Sequence, residues 1–115
     1  MANKSEIEQF LKEFKQKLKV FRIIYSDNRR KNSQALLDLE ISPAKRRAFI
    51  EKIEVKDYSQ GPLDDNLYGI ASMWVFGKIV KSNEVYIKIS MGQPNSEVIC
   101  ISFHISEHPM KYPFK

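Results

Sequence analysis

Residues 73–105, MWVFGKIVKSNEVYIKISMGQPNSEVICISFHI, decide the fold. Three runs in this stretch, 73–80, 85–91 and 98–105, are rich in β-branched and aromatic residues and read as strands. Lys81-Ser82-Asn83-Glu84 and Gly92-Gln93-Pro94-Asn95-Ser96 join them through short, turn-rich links. Links of that length make adjacent strands antiparallel, so the three form a meander.

Side chains alternate across a strand, so each run divides into two faces. In 85–91, Val85, Ile87, Ile89 and Met91 share one face, and Tyr86, Lys88 and Ser90 the other. In 98–105, Ile99, Ile101, Phe103 and Ile105 form the apolar set, opposite Val98, Cys100, Ser102 and His104. A two-residue turn at Ser82-Asn83 puts Ile79 on the face of Tyr86. A three-residue loop, Ser82-Asn83-Glu84, pairs Ile79 with Ile87 and Lys78 with Lys88. Register follows the buried face, so the second is expected. Trp74, Phe76 and Lys78 then join Tyr86, Lys88, Ser102 and His104 on an open sheet face. Such a face suits an anion held between lysines and unpaired bases stacked on exposed rings, or else is a solvated sheet surface.

Upstream of the strands the periodicity is helical. Ile7, Phe10, Leu11, Phe14, Leu18 and Phe21 form an amphipathic stripe, with Ser5 expected as N-cap, Glu8 closing the capping box, and a helix running to about Lys19. Lys12, Lys15, Lys17 and Lys19 lie outside that stripe. Residues 20–25 read as a short strand, and Ser26-Asp27-Asn28 as a turn carrying the basic run Arg29-Arg30-Lys31. A short helix is expected over 33–40. A further helix starts with Ser42 as N-cap and Pro43 in its first turn. Lys45-Arg46-Arg47 falls in that first turn, where cations oppose the helix dipole; an anionic partner or plain solvation accounts for it. Residues 54–58 alternate as a strand, 59–66 read as a loop holding Asp64-Asp65, and β character resumes at Leu67. The tail from Glu107 is extended by Pro109 and Pro113. Helices first and strands afterwards predict a single α+β domain over 1–115, with N-terminal helices packed on one face of a mostly antiparallel sheet.

The 115 residues suit one hydrophobic core. Residues 1–56 hold 14 Lys/Arg against 8 Asp/Glu, and 57–115 hold 5 against 6. A net charge of +5 with the excess in one half points toward an anionic partner. No window approaches the ~18 apolar residues of a membrane span. The N-terminus has no apolar signal-peptide core, and a lone Cys100 inside an apolar strand suits a reduced, cytoplasmic setting. Phosphate-binding loops, zinc-protease motifs and nucleophile elbows are all missing. Two histidines and one cysteine are too few for an expected metal site, and no cofactor is expected.

Several stretches resemble the MqsR family, RNA-cleaving toxins of bacterial toxin–antitoxin pairs with a RelE-like fold. The likeness covers roughly the last 80 residues. It begins near Ala35-Leu36-Leu37, continues through the Pro43–Ile53 helix and Asp57-Tyr58, and is clearest in Glu84–Ile89 and Ile101-Ser102-Phe103. Trp74–Lys78, Val85–Lys88, Ile101–His104 and Pro109–Phe114 are similar to one branch of that family. The resemblance implies a metal-independent endoribonuclease that cleaves mRNA in a sequence- or ribosome-linked way and is neutralised by a protein antitoxin. It implies an active-site role for Tyr86. The family's loop lysine falls at Ser59 or Gln60 and its glutamine near Met73, and neither is kept. His104 replaces a basic residue and becomes the expected proton-transfer group, because only histidine titrates near neutrality unperturbed. Lys78 and Lys88 are expected to stabilise developing charge. Trp74 and Phe76 are expected to stack a base, and Arg46 and Arg47 to bind RNA. The alternatives are a non-catalytic RNA- or protein-binding module on the same fold, or a purely structural interaction domain.

Overall fold

A computed structural model describes residues 1–27, 29–64 and 72–115. Asn28, Asp65, Asn66 and the β character expected from Leu67 lie outside the described residues. The protein is α+β, with three helices and a five-stranded sheet among the described residues. The order along the chain is α1 (Lys4–Leu18), β1 (Ile23–Tyr25), α2 (Arg30–Asp38), α3 (Pro43–Glu51), a 3₁₀ turn (Val55–Asp57), β2 (Tyr58–Leu63), β3 (Met73–Val80), β4 (Asn83–Ser90) and β5 (Val98–Ile105). The strands lie in the order β1-β5-β4-β3-β2, antiparallel except for the β1–β5 pair. Among the described residues, no helix is long and apolar enough to cross a membrane.

Helix α1 buries Ile7, Phe10, Leu11, Phe14 and Leu18 of the expected stripe, while Phe21 lies beyond the helix end and is half-buried. Its start is earlier than expected. Asn3, not Ser5, is the N-cap, and its Oδ1 accepts from Glu6 N at 2.8 Å while Glu6 Oε1 accepts from Asn3 N at 3.0 Å. Two residues further upstream, Asn3 offers the same reciprocal bonding, and it leaves Ala2 buried with its N–H donating to Tyr58. Ser42 caps α3 as expected. Residues 54–57 are not a strand. Glu54 and Asp57 bond each other's backbone across a 3₁₀ turn, and β2 occupies 58–63, where a loop was expected.

The β3–β4 register differs from the expected one. The turn is two residues long, Lys81-Ser82, both with positive φ, which matches the twist of a tight hairpin. Val80 pairs with Asn83 and Gly77 with Tyr86. Trp74, Phe76 and Lys78 therefore face the helix layer, not the open face. Ile79 stands on the face of Tyr86, 63% exposed. The reason lies in competing alternation. One parity of β3 contains Trp74, Phe76 and Val80 with Lys78, and the other contains Met73, Val75 and Ile79 with the side-chain-free Gly77. Two large aromatics dominate the burial, so their parity wins. Phe10 stacks on Trp74 with ring centroids 4.5 Å apart, and Phe76 is fully buried. Lys78, carried inward with them, is neutralised by Asp57 at 2.8 Å.

Strand β5 also departs from simple alternation. Lys88 and Ile89 are consecutive, yet their partners are Ser102 and Cys100. Ile101 is the extra residue of a bulge, and it reverses the faces upstream of it. Val98 and Cys100 thus join the core, while Ser102 and His104 keep the open face. Burial pushes the Cys100 thiol up to about 12, so it stays a protonated core group. The edge of β5 beyond β1 is served by Asn32 of α2. Its amide donates to Ile101 O at 2.8 Å, and its Oδ1 accepts from Phe103 N at 3.1 Å.

Candidate functional site

The open face of β4 and β5 is the floor of a groove of about 590 Å³, a size that suits a small polar ligand or a short stretch of polymer. Ser59 and Gln60 of β2 line one wall, and the tail from Ser106 to Lys111 lines the other. Four floor side chains follow from strand pairing. Tyr86 lies opposite His104, and Lys88 opposite Ser102. Tyr86 and His104 stack with centroids 5.3 Å apart and planes 13° apart. Lys88 Nζ lies 5.8 Å from the Tyr86 ring centre. Arg29 reaches the floor from the start of α2, donating to Ser102 Oγ at 3.2 Å and to Ile101 O at 3.3 Å.

This geometry fixes protonation roles. His104 Nδ1 lies 3.0 Å from Ile105 O. A carbonyl can only accept, so Nδ1 carries the proton in the neutral ring and Nε2 keeps its lone pair. Burial raises the Tyr86 phenol, against a smaller opposing influence from Arg29. Tyr86 is therefore a hydrogen-bond donor throughout the neutral range. The groove holds a proton acceptor, a proton donor and two cations along one floor, the parts required to stabilise a phosphate as its charge grows.

Glu84 is one anchor of the tail wall. The Glu84 carboxylate accepts from Tyr112 Oη at 2.7 Å and from Met110 N at 3.1 Å. Tyr112 sits directly on Gly77, where a Cβ would lie 2.1 Å from its hydroxyl. Gly77→Ala is therefore expected to lift the tail rather than unfold the sheet, because the clashing atom is the end of a side chain. The loss is about 1 kcal/mol, one net hydrogen bond. Limited trypsin digestion should cut faster at Lys111 in this variant, with a fall in melting temperature of no more than about 4 °C. A tail as protected as in the wild type would contradict the anchor.

The expected residues separate into two groups. His104, Tyr86 and Lys88 are together on the floor. Lys78, Trp74 and Phe76 are on the opposite face of the sheet, behind the backbone. Arg46 is also elsewhere: it is 2% exposed, pairs with Asp27 through two bonds of 2.8 and 3.1 Å, and lies 3.5 Å over the Tyr25 ring. Arg47 donates to Leu18 O and pairs with Glu51. Arg46 and Arg47 are thus committed to holding α3 against β1 and α1, an outcome that neither an anionic partner nor plain solvation had anticipated, while Lys45 is exposed. Arg29 is the groove cation that sequence reasoning missed. It appears in the sequence only as part of a basic run on a turn, and the approach of α2 to the β5 bulge brings it in.

Among the described residues, no group of three or more His, Cys, Asp or Glu side chains is placed to hold a metal ion. The site defines a cationic, histidine-bearing sheet groove. Comparison with models of known protein families, with curated proteins and with solved structures found no match.

Proposed function

We propose that this protein is an endoribonuclease toxin of the MqsR kind, cleaving mRNA in the cytoplasm and neutralised by a protein antitoxin. The observation that carries the proposal is the alignment of Arg29, Lys88, Tyr86 and His104 on one groove floor. In the reaction a ribose 2′-oxygen attacks the adjacent phosphorus. His104 Nε2 takes the 2′-hydroxyl proton as the new O–P bond forms. Arg29 and Lys88 stabilise the charge on the non-bridging oxygens. The bond to the 5′-oxygen breaks, and Tyr86 protonates that leaving oxygen. The proton on His104 returns to Tyr86 through solvent, which restores both groups and leaves a cyclic phosphate. The lysines on the outer side of α1, Lys12, Lys15 and Lys19, add a second basic surface that an acidic antitoxin fits.

A second reading is a non-catalytic RNA-binding module, favoured by Ser59 and Gln60 standing uncharged on the groove wall, where the resemblance to the MqsR family would place a lysine. One pair of assays separates the two. The protein is expected to cleave single-stranded RNA with a chelator present and to arrest growth unless its antitoxin is co-expressed. RNA binding without cleavage or growth arrest would leave only the second reading.

A further inference from the structure

Beside the groove lies a second chamber of about 430 Å³, formed between α2 and the end of β5. It exists because β1 stops after three residues, so α2 rather than a strand flanks the rest of β5. His104 lines both spaces, and so does Glu107. We infer that this chamber is a nucleotide subsite that holds the residue next to the scissile phosphate and selects a base carrying an exocyclic amino group over uracil. The inference rests on the reading of the groove as an RNA site.

The selecting residues form one stripe. Arg30, Gln34 and Asp38 follow at helical i, i+4 and i+8 spacing, covering about 12 Å of α2. Ile105, 36% exposed, offers an apolar surface beside them. The stripe is cationic at one end and acceptor-rich at the other, as a nucleotide is anionic at its phosphate and hydrogen-bonding at its base edge. Gln34 Nε2 donates to Asp38 Oδ1 at 3.0 Å. That bond uses one Nε2 hydrogen and leaves one, so the stripe presents acceptor oxygens of Gln34 and the Asp38 carboxylate against a single remaining N–H donor, a balance that favours N–H donors on the ligand. The amino group of cytosine or adenine supplies two; O4 of uracil supplies none, leaving that base its single N3–H.

The charges of α2 add an independent argument. Its first turn has no acidic residue and its last turn no basic one, while Arg30 and Lys31 stand at the start and Asp38 at the end. Both ends oppose the helix dipole. A helix selected for stability alone would carry the reverse arrangement. Lys31 pairs with Glu107 across the boundary between the two spaces. A substrate phosphate at that boundary would exchange for Glu107 on Lys31.

The test uses 2′-O-methyl hexamers of cytosine, adenine or uracil, which lack the attacking hydroxyl, with binding followed by fluorescence anisotropy. Cytosine and adenine hexamers are expected to bind about fivefold tighter than uracil. Asp38→Ala should bring that ratio close to one; the ratio is read because removing a negative charge strengthens binding to every RNA. Lys31→Ala should weaken all three alike. Uracil binding as tightly as cytosine and adenine, or a ratio that survives Asp38→Ala combined with Gln34→Ala, overturns the subsite. Unmodified hexamers run in parallel separate the two levels. Cleavage without base preference removes the subsite and keeps the endoribonuclease. Preference that Asp38→Ala abolishes, without cleavage, keeps the subsite and removes the endoribonuclease. Absence of binding to every hexamer removes both.

Discussion

His104→Ala is expected to lose about 10²–10⁴-fold in single-turnover RNA cleavage, the usual contribution of a positioned general base. His104 Nε2 is the acceptor on the groove floor because Nδ1 is tied to Ile105 O. The ring is half-buried on an open face, so its removal opens the floor without emptying the core. His104→Gln restores a polar side chain of similar reach but no titrating nitrogen, and should be as inactive as alanine. His108, exposed on the tail wall and not among the floor groups, is the comparison: His108→Ala should lose far less than His104→Ala. Tyr86→Phe should slow the reaction as well, because it removes the donor for the 5′-oxygen. The raised Tyr86 phenol places any alkaline loss of that donor above the ordinary tyrosine value of ~10. Rates are measured across pH with a chelator present. Wild-type rates for His104→Ala would remove it from the mechanism and leave Tyr86 with the two cations.

Arg46→Met is expected to destabilise the protein by about 2–3 kcal/mol. Breaking a buried ion pair costs about 3–5 kcal/mol when the surviving charge stays buried. The Asp27 side chain is 46% exposed and can rehydrate, which lowers the figure. The loss includes the guanidinium stacked on Tyr25. At roughly 4 °C per kcal/mol the melting temperature should fall by about 10 °C. Arg46→Lys keeps the charge but neither the two-bond pairing nor the planar stack, so it should fall between the two. Below its transition, Arg46→Met should cleave RNA like the wild type, because Arg46 lies outside the groove. Unchanged melting together with weakened RNA binding would reverse this assignment and make Arg46 an RNA contact.

Legibility in the sequence followed how strongly one physical pattern dominated. The α1 stripe was clear because five large apolar residues share one helical face and nothing competes with them. The Ser42-Pro43 start of α3 was clear because cap and proline act locally. Tyr86 and Lys88 were placed correctly because β4 alternates cleanly between aliphatic and polar residues. His104 was also placed correctly, since the bulge lies upstream of it. Lys78, Trp74 and Phe76 were misplaced because both parities of β3 are largely apolar. A turn one residue shorter than expected then exchanged the faces.

The sequence by itself determined the α+β class, the amphipathic first helix, the meander and the shared face of Tyr86 and Lys88. Each of these depends on contacts between residues close in the chain or on an unopposed periodicity. The tertiary structure alone decided that Phe10 covers Trp74, that Arg46 is locked to Asp27, and that Arg29 joins the groove. Each of those three depends on surfaces brought together from distant parts of the chain. No local signal distinguishes an arginine that will be buried over a tyrosine from one that will face solvent. That choice is made by the space left when α3 packs on β1, and by the carboxylate waiting there.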